Sequence, residues 1–243
     1  MDTQPKKSFF KRFRWLVVIF GLLVVAVAAF TVRGIVRDLQ SENDRGDFAN
    51  SNTQEQGVSK PTTAATLVLP FSIEDTPESI APMGETIIHN NTPNNIGHSG
   101  IDFQWHSSRE IKILASMDAE IMSIAVNPLG THDVITERGG WSVEYDGMKL
   151  VNPELEVGQS ITRGDYMGQP NPEKAPAVGQ GFHWQFGYYD KKQNRAYPAL
   201  CPLIYFNTES VNLIEKIWAD TKWLEMKANA PDICSNYYKD KNQ

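Results

Sequence analysis

The pattern of apolar and polar positions divides the chain into four parts. Every residue from Trp15 to Val32 is uncharged and most are large and apolar, whereas residues 34–63 are polar almost throughout. Short β-branched and aromatic runs separated by Gly, Pro and Asn follow in residues 64–206. Residues 207–243 form the last part, in which apolar positions between Glu209 and Lys227 recur at three- to four-residue steps. The pattern predicts an apolar helix, a linker, a β domain and an amphipathic helix.

The apolar segment 15–33 is long enough to cross the hydrocarbon core of a membrane as a helix. Basic residues crowd its leading side: Lys6, Lys7, Lys11, Arg12 and Arg14. The positive-inside rule then places residues 1–14 in the cytoplasm. We expect a single-pass anchor in the inner membrane, with the domain in the periplasm or on the extracellular side. The alternative is a signal peptide cleaved after the small residues Ala26 to Ala28.

The linker and the β region differ in what they can bury. Residues 34–63 contain almost no large apolar side chain, so they predict a flexible tether. Residues 64–206 contain runs such as TLVLPFSI, EIKILA, DVITE and HWQFGYY, with turn residues between them. This regular spacing is typical of an antiparallel hybrid barrel or β-sandwich, so the predicted fold class is mainly β.

The C-terminal part predicts a helix between Glu209 and Lys227. Its apolar positions form one stripe: Val211, Ile214, Ile217, Trp218 and Leu224. Such a stripe favours packing of the helix against the sheet. The chain has two cysteines, Cys201 and Cys234. In an oxidising compartment a pair of this kind favours a disulfide, with two separate buried thiols as the alternative.

The charge of the chain restricts its partners. The formal net charge is -6 and the sequence pI is about 5.4, with no basic face of the density that nucleic acid requires. We therefore exclude nucleic acid, while cell-wall, protein and small-molecule partners remain open.

Two distant stretches together predict a zinc site. His98 and Asp102 stand four residues apart in HSGID, and His183 lies in GQGFHWQF. Two imidazoles and one carboxylate are a ligand set that leaves one tetrahedral position open. We expect His89, His106 and His132 to be surface or turn residues. Tyr145, Trp184 and Gln185 are candidates for a substrate groove beside the metal.

Four landmarks occur in a fixed order after the apolar segment: GHSGIDF, WSVEYDGM, VGQSITRGDYMG and GQGFHWQFGYY. In this order, from about Pro82 to Phe206, the chain resembles the lysostaphin-type (LytM-like) zinc endopeptidases of the bacterial cell wall. The resemblance implies a peptidase domain that cuts the cross-link peptides of peptidoglycan with bound Zn²⁺. It also implies that His98, Asp102 and His183 are the zinc ligands.

The same resemblance implies two auxiliary histidines that this chain lacks. One belongs to a Y-x-H-L strand, where the chain has Gly147, and the other lies two residues before the last ligand, where it has Gly181. A frame shifted by two residues is the alternative, in which His183 replaces the activating histidine and Gln185 stands at the ligand position.

Three functions fit these observations. The first is an anchored zinc endopeptidase acting on peptidoglycan. The second is a catalytically inactive relative that binds wall peptides or regulates a cell-wall hydrolase. The third, a periplasmic adaptor with a hybrid barrel, is disfavoured because it needs neither His98 nor His183, and because no long coiled-coil segment interrupts the β region.

Overall fold

The computed structural model describes residues 58–89, 96–106, 109–128, 130–172 and 179–242. The predicted anchor at residues 15–33 lies outside the described residues. Within the described ranges no helix is long and apolar enough to span a membrane.

The described residues form a ten-stranded sheet. Its strands are β1 (Ser79–Ala81), β2 (Ile101–Trp105), β3 (Ile113–Leu114), β4 (Ala119–Val126), β5 (His132–Arg138), β6 (Trp141–Val151), β7 (Ser160–Ile161), β8 (Tyr166–Pro170), β9 (Gln180–Asp190) and β10 (Arg195–Ala199). The main path runs β1-β2-β9-β6-β5-β4-β7, with β10 beside β9 and with β8 paired to β3 and β6. All these pairings are antiparallel, which confirms the mainly β prediction.

The alternation of side chains along the central strands separates a core face from a polar face. On β9, Phe182, Trp184 and Phe186 are each about 1% exposed and belong to the hydrophobic core. Because successive residues of a strand point to opposite faces, His183 lies on the polar face. The same alternation on β2 puts Phe103 in the core and Asp102 on the polar face. Burial of each large apolar side chain stabilises this arrangement by about 1.5–3 kcal/mol.

Among the residues that the structure describes, the α-helices follow the sheet in sequence. They are α1 (Thr208–Asp220), α2 (Leu224–Asn229) and α3 (Asn236–Asp240), and 3₁₀ turns occur at Ile73–Asp75 and Pro202–Ile204. Asn207 caps the start of helix α1, since its side chain accepts a hydrogen bond from the Ser210 N–H at 2.8 Å.

The amphipathic helix is shorter than the sequence predicts. Helix α1 buries Ile214, Ile217 and Trp218, as expected for its apolar stripe. It ends before Thr221, whose hydroxyl donates to the Ile217 carbonyl at 2.8 Å. Leu224 begins a separate helix and is 77% exposed, so it does not extend the stripe.

A disulfide joins Cys201 to Cys234 in the structure. The segment around Cys234 lies along Met83. There the Met83 N–H donates to the Ile233 carbonyl at 2.9 Å, and the Ser235 N–H donates to the Met83 carbonyl at 3.0 Å. Gly84, which follows Met83, donates its N–H to the His98 carbonyl at 2.8 Å, so the C-terminal tail lies beside the backbone that carries His98.

Candidate metal centre

Three donor atoms converge on the polar face of the sheet. His98 Nε2 lies 2.9 Å from His183 Nδ1 and 3.2 Å from Asp102 Oδ1, and His183 Nδ1 lies 3.0 Å from the same oxygen. Ligands of a tetrahedral zinc ion at ordinary bond lengths are separated by about 3.3 Å. The donor triangle formed by His98, Asp102 and His183 therefore has both the atom types and the spacing that zinc requires.

Strand register explains how the donor triangle assembles. Asp102 of β2 stands directly opposite His183 of β9, and His183 also stands opposite Asp146 of β6. Directly opposite residues project from the same face of a sheet. One row across three strands thus presents carboxylate, imidazole and carboxylate to the polar face. His98 completes the donor triangle from the turn before β2.

A contact with a backbone carbonyl fixes the orientation of the His98 ring. Its side chain is 4% exposed, and Nδ1 lies 3.2 Å from the Pro82 carbonyl oxygen. Only a protonated Nδ1 can donate to a carbonyl, so in the neutral ring the Nε2 lone pair faces Asp102 and His183. A backbone acceptor of this kind is a usual outer partner of a metal-binding histidine.

The protonation states of the donor triangle suit a metal ligand set. Burial lowers the pKa of the His98 imidazole, although the adjacent Asp102 carboxylate acts in the opposite direction. Burial alone would raise the pKa of Asp102, but the imidazoles of His98 and His183 outweigh it and hold that pKa well below its usual range. At neutral pH the carboxylate is therefore ionised and His98 is neutral, and metal binding needs these two forms.

Gly100 makes room for the His183 ring. A Cβ at this position would lie 2.4 Å from His183 Cε1, 2.6 Å from His183 Nε2 and 2.5 Å from the Trp184 carbonyl oxygen. The carbonyl belongs to the backbone of β9 and cannot move away like the end of a flexible side chain. Glycine at position 100 is thus a steric condition for the observed imidazole position.

The two positions expected to carry auxiliary histidines have different surroundings. Gly181 lies opposite Gln104 and forms an isolated bridge with Asn171. Gly147 has a φ of +74°, and its N–H donates to Asp133 Oδ1 at 2.8 Å. A side chain is strained at such a φ. The backbone of β6 has therefore departed from a regular strand where the resemblance expects a histidine.

The substrate-groove prediction needs correction. Tyr145 and Trp184 are almost fully buried on the core face: the Tyr145 hydroxyl accepts from the Ser116 N–H at 2.7 Å, and Trp184 Nε1 donates to Ser116 Oγ at 3.1 Å. Gln185 shares the face of His183 but is 4% exposed, and its amide donates to the Ala196 carbonyl. These three residues hold the fold together and do not line an open groove.

Two residues that the sequence did not single out lie beside the donor triangle. His89, expected to be a surface residue, stacks on His98 with ring centroids 4.0 Å apart, and its Nε2 lies 3.9 Å from Asp102 Oδ2. The potential ligand atoms of His89, His98 and Asp102 all lie within 4.8 Å of one another. The buried Glu85 carboxylate lies 2.8 Å from His89 Nδ1. The four-residue spacing of Glu85 and His89 was the feature of the sequence that could have indicated this contact.

No protein-family model matches the sequence, and no curated protein matches it. Solved structures do match. Helicobacter pylori Csd3 is 15% identical with a TM-score of 0.44, over 63% of this chain and 38% of the Csd3 chain. A chain of the SpoIIQ-SpoIIIAH pore-forming complex is 20% identical with a TM-score of 0.45, over 63% and 98%. Lysostaphin, an antimicrobial peptidase from Staphylococcus simulans, is 16% identical with a TM-score of 0.37, over 48% and 45%. At these identities and scores the matches assign neither family nor function.

Proposed function

We propose that this chain is a membrane-anchored, extracytoplasmic LytM-like zinc metallopeptidase that acts on the cross-link peptides of peptidoglycan. Residues 15–33 anchor it in the inner membrane, residues 34–63 are the tether, and residues 64–206 form a domain of the duplicated hybrid type. The observation that carries the proposal is the donor triangle, in which three side chains from two distant sequence motifs bring their donor atoms within 2.9–3.2 Å of one another.

The residues of the triangle fit zinc in chemistry as well as in spacing. Two imidazole nitrogens and one carboxylate oxygen are the donor set of many catalytic zinc sites, which keep one position open. Bound zinc would supply a Lewis acid that polarises a peptide carbonyl and lowers the pKa of a coordinated water to about 7. His98, Asp102 and His183 would hold the ion, and the Pro82 carbonyl would keep His98 in the required tautomer.

A second function is favoured by Gly147 and Gly181. Positioned acid-base groups typically contribute about 10²–10⁴-fold to the rate of a hydrolytic enzyme. A domain in which glycine replaces both auxiliary histidines and nothing else serves in their place would bind metal and wall peptides but turn over too slowly to matter. Such a domain would serve as a binding module or as a regulator of a cell-wall hydrolase.

The proposal is tested on the full chain purified in detergent. Elemental analysis is expected to give about one zinc per chain. With purified peptidoglycan, the zinc-loaded protein is expected to release peptide fragments, a chelator to stop the release, and added zinc to restore it. A well-folded protein that takes up no zinc would refute the proposal. Zinc uptake without released fragments would instead support the binding module, which is then measured by co-sedimentation with peptidoglycan.

A prediction about Gly100 follows from the crowding of His183. Gly100→Ala is expected to lower zinc affinity by about 10–100-fold, because the new methyl group displaces the imidazole from the donor triangle. The measurement is competition with a chelating dye. Ser99→Ala is the matched control and should retain the affinity of the unmodified chain. Unchanged affinity in Gly100→Ala would mean that the His183 ring does not need its observed position to bind metal.

A further inference from the structure

A buried carboxylate is anchored beside the donor triangle. The Glu85 side chain is fully buried, and its carboxylate accepts hydrogen bonds from the backbone N–H groups of Ile87 and Ile88, the latter at 2.9 Å. Its second oxygen lies 2.8 Å from His89 Nδ1. These three contacts hold the Glu85 side chain in place, so it can support the His89 ring.

The contact with Glu85 determines which nitrogen of His89 carries a proton. A carboxylate accepts, so Nδ1 is the N–H donor and Nε2 presents its lone pair in the neutral ring. Nε2 lies 3.9 Å from Oδ2 of Asp102, the oxygen that does not take part in the donor triangle. The contact with Glu85 thus directs Nε2 of His89 towards Asp102 at the edge of the donor triangle.

Ring geometry separates His89 from the metal ligands. An imidazole binds a metal through a lone pair that lies in the plane of its ring. The rings of His89 and His98 are stacked, 9° from parallel with centroids 4.0 Å apart, so the two ring planes do not meet at a common ion. The rings of His98 and His183 are inclined by 59° and do converge. His89 therefore stands beside the donor triangle and is not a fourth member of it.

We propose that His89, oriented by Glu85, is the catalytic acid-base residue of this chain. It replaces the auxiliary histidines that the resemblance expects at positions 147 and 181, where this chain has Gly147 and Gly181. The inference rests on the proposed function. In peptide hydrolysis, Nε2 takes a proton from the attacking water as the carbon–oxygen bond forms. It gives that proton to the leaving nitrogen as the carbon–nitrogen bond breaks, so the products are a carboxylic acid and an amine and His89 is unchanged.

The test compares His89→Phe with His106→Phe in the full chain. Phenylalanine keeps a flat ring against His98 and removes Nε2, and His106 is an exposed imidazole just beyond the end of β2. We expect His89→Phe to keep its zinc and its folded circular dichroism spectrum while fragment release from peptidoglycan falls about 10²–10⁴-fold. His106→Phe should match the unmodified chain in all three measurements.

Two further variants, His89→Gly and Glu85→Gln, distinguish a catalytic role of His89 from a purely structural one. Free imidazole is expected to restore part of the activity of His89→Gly, which a purely structural role would not allow. Glu85→Gln is expected to lower the rate about 10–100-fold at unchanged zinc content, because its amide orients His89 less strictly.

The outcomes distinguish the inference from the proposed function. Loss of zinc in His89→Phe would make His89 a ligand and overturn its assignment as an acid-base residue. Full activity in His89→Phe, or no rescue of His89→Gly by imidazole, would overturn the inference and leave the zinc peptidase intact. An unmodified chain that takes up zinc and releases no fragments would refute the proposed peptidase activity and, with it, any catalytic role for His89.

Discussion

His183→Ala is expected to abolish tight zinc binding. The ring supplies one corner of the donor triangle, with Nδ1 at 2.9 Å from His98 Nε2 and 3.0 Å from Asp102 Oδ1. Zinc sites with four ligands are worth about 10–16 kcal/mol in total, so the loss of one ligand costs about 3 kcal/mol, or about 10²-fold in affinity. The fold should persist, because Phe182 and Trp184 on either side of His183 keep their places in the core.

The measurement is zinc affinity by chelator competition, with folding followed by circular dichroism. His106→Ala is the matched control, since it removes an exposed imidazole that follows β2. It should bind zinc like the unmodified chain. Zinc affinity that is unaffected in His183→Ala would exclude the donor triangle.

The sequence predicted the two ends of the site but not the way in which they meet. His98 and Asp102 are close in the chain, so their spacing was visible. His183 lies 81 residues beyond Asp102, and its contact depends on the antiparallel register of β2 and β9. That register favours the reading in which His183 itself occupies the ligand position. In the shifted reading this place belonged to Gln185, which pairs instead with Glu144 and donates to the Ala196 carbonyl.

The errors at Tyr145 and Trp184 came from proximity in sequence. Trp184 follows His183 directly, and neighbours on a strand point to opposite faces. The alternation that put His183 on the polar face was therefore enough to put Trp184 in the core. Tyr145 pairs with Trp184 across β6 and β9, so it shares the same buried face.

His89 could not be placed from the sequence for a different reason. Its position depends on a loop without regular structure. In this loop the Glu85 carboxylate accepts hydrogen bonds from the backbone N–H groups of Ile87 and Ile88. No periodicity reports on such a loop. Only the spacing of Glu85 and His89 suggested a contact, and a pair of that spacing is common on any surface.

The disulfide is expected to contribute about 3–4 kcal/mol to the free energy of unfolding. It closes a loop with a sequence separation of 33, and restriction of the unfolded chain by a loop of this size accounts for that amount. Cys201→Ser with Cys234→Ser should therefore unfold at a lower urea concentration. The measurement is urea denaturation of the zinc-free chain at equal protein concentration, with the unmodified chain in reducing buffer as a second form of the same test.

The same substitution is expected to weaken the candidate site. Cys234 lies in the C-terminal tail, which is hydrogen-bonded to the backbone of Met83. Gly84, the residue after Met83, donates its N–H to the His98 carbonyl at 2.8 Å. The Tyr238 hydroxyl donates to the Gly97 carbonyl at 3.3 Å. With the tail released, His98 loses part of its support, so zinc affinity should fall about 10-fold or more.

Lys239→Ala is the control, because it removes only an exposed ion pair with Asp232 in the same tail. It should change neither the free energy of unfolding nor the zinc affinity measurably. Lower stability at unchanged zinc affinity would show that the tail stabilises the domain without positioning His98.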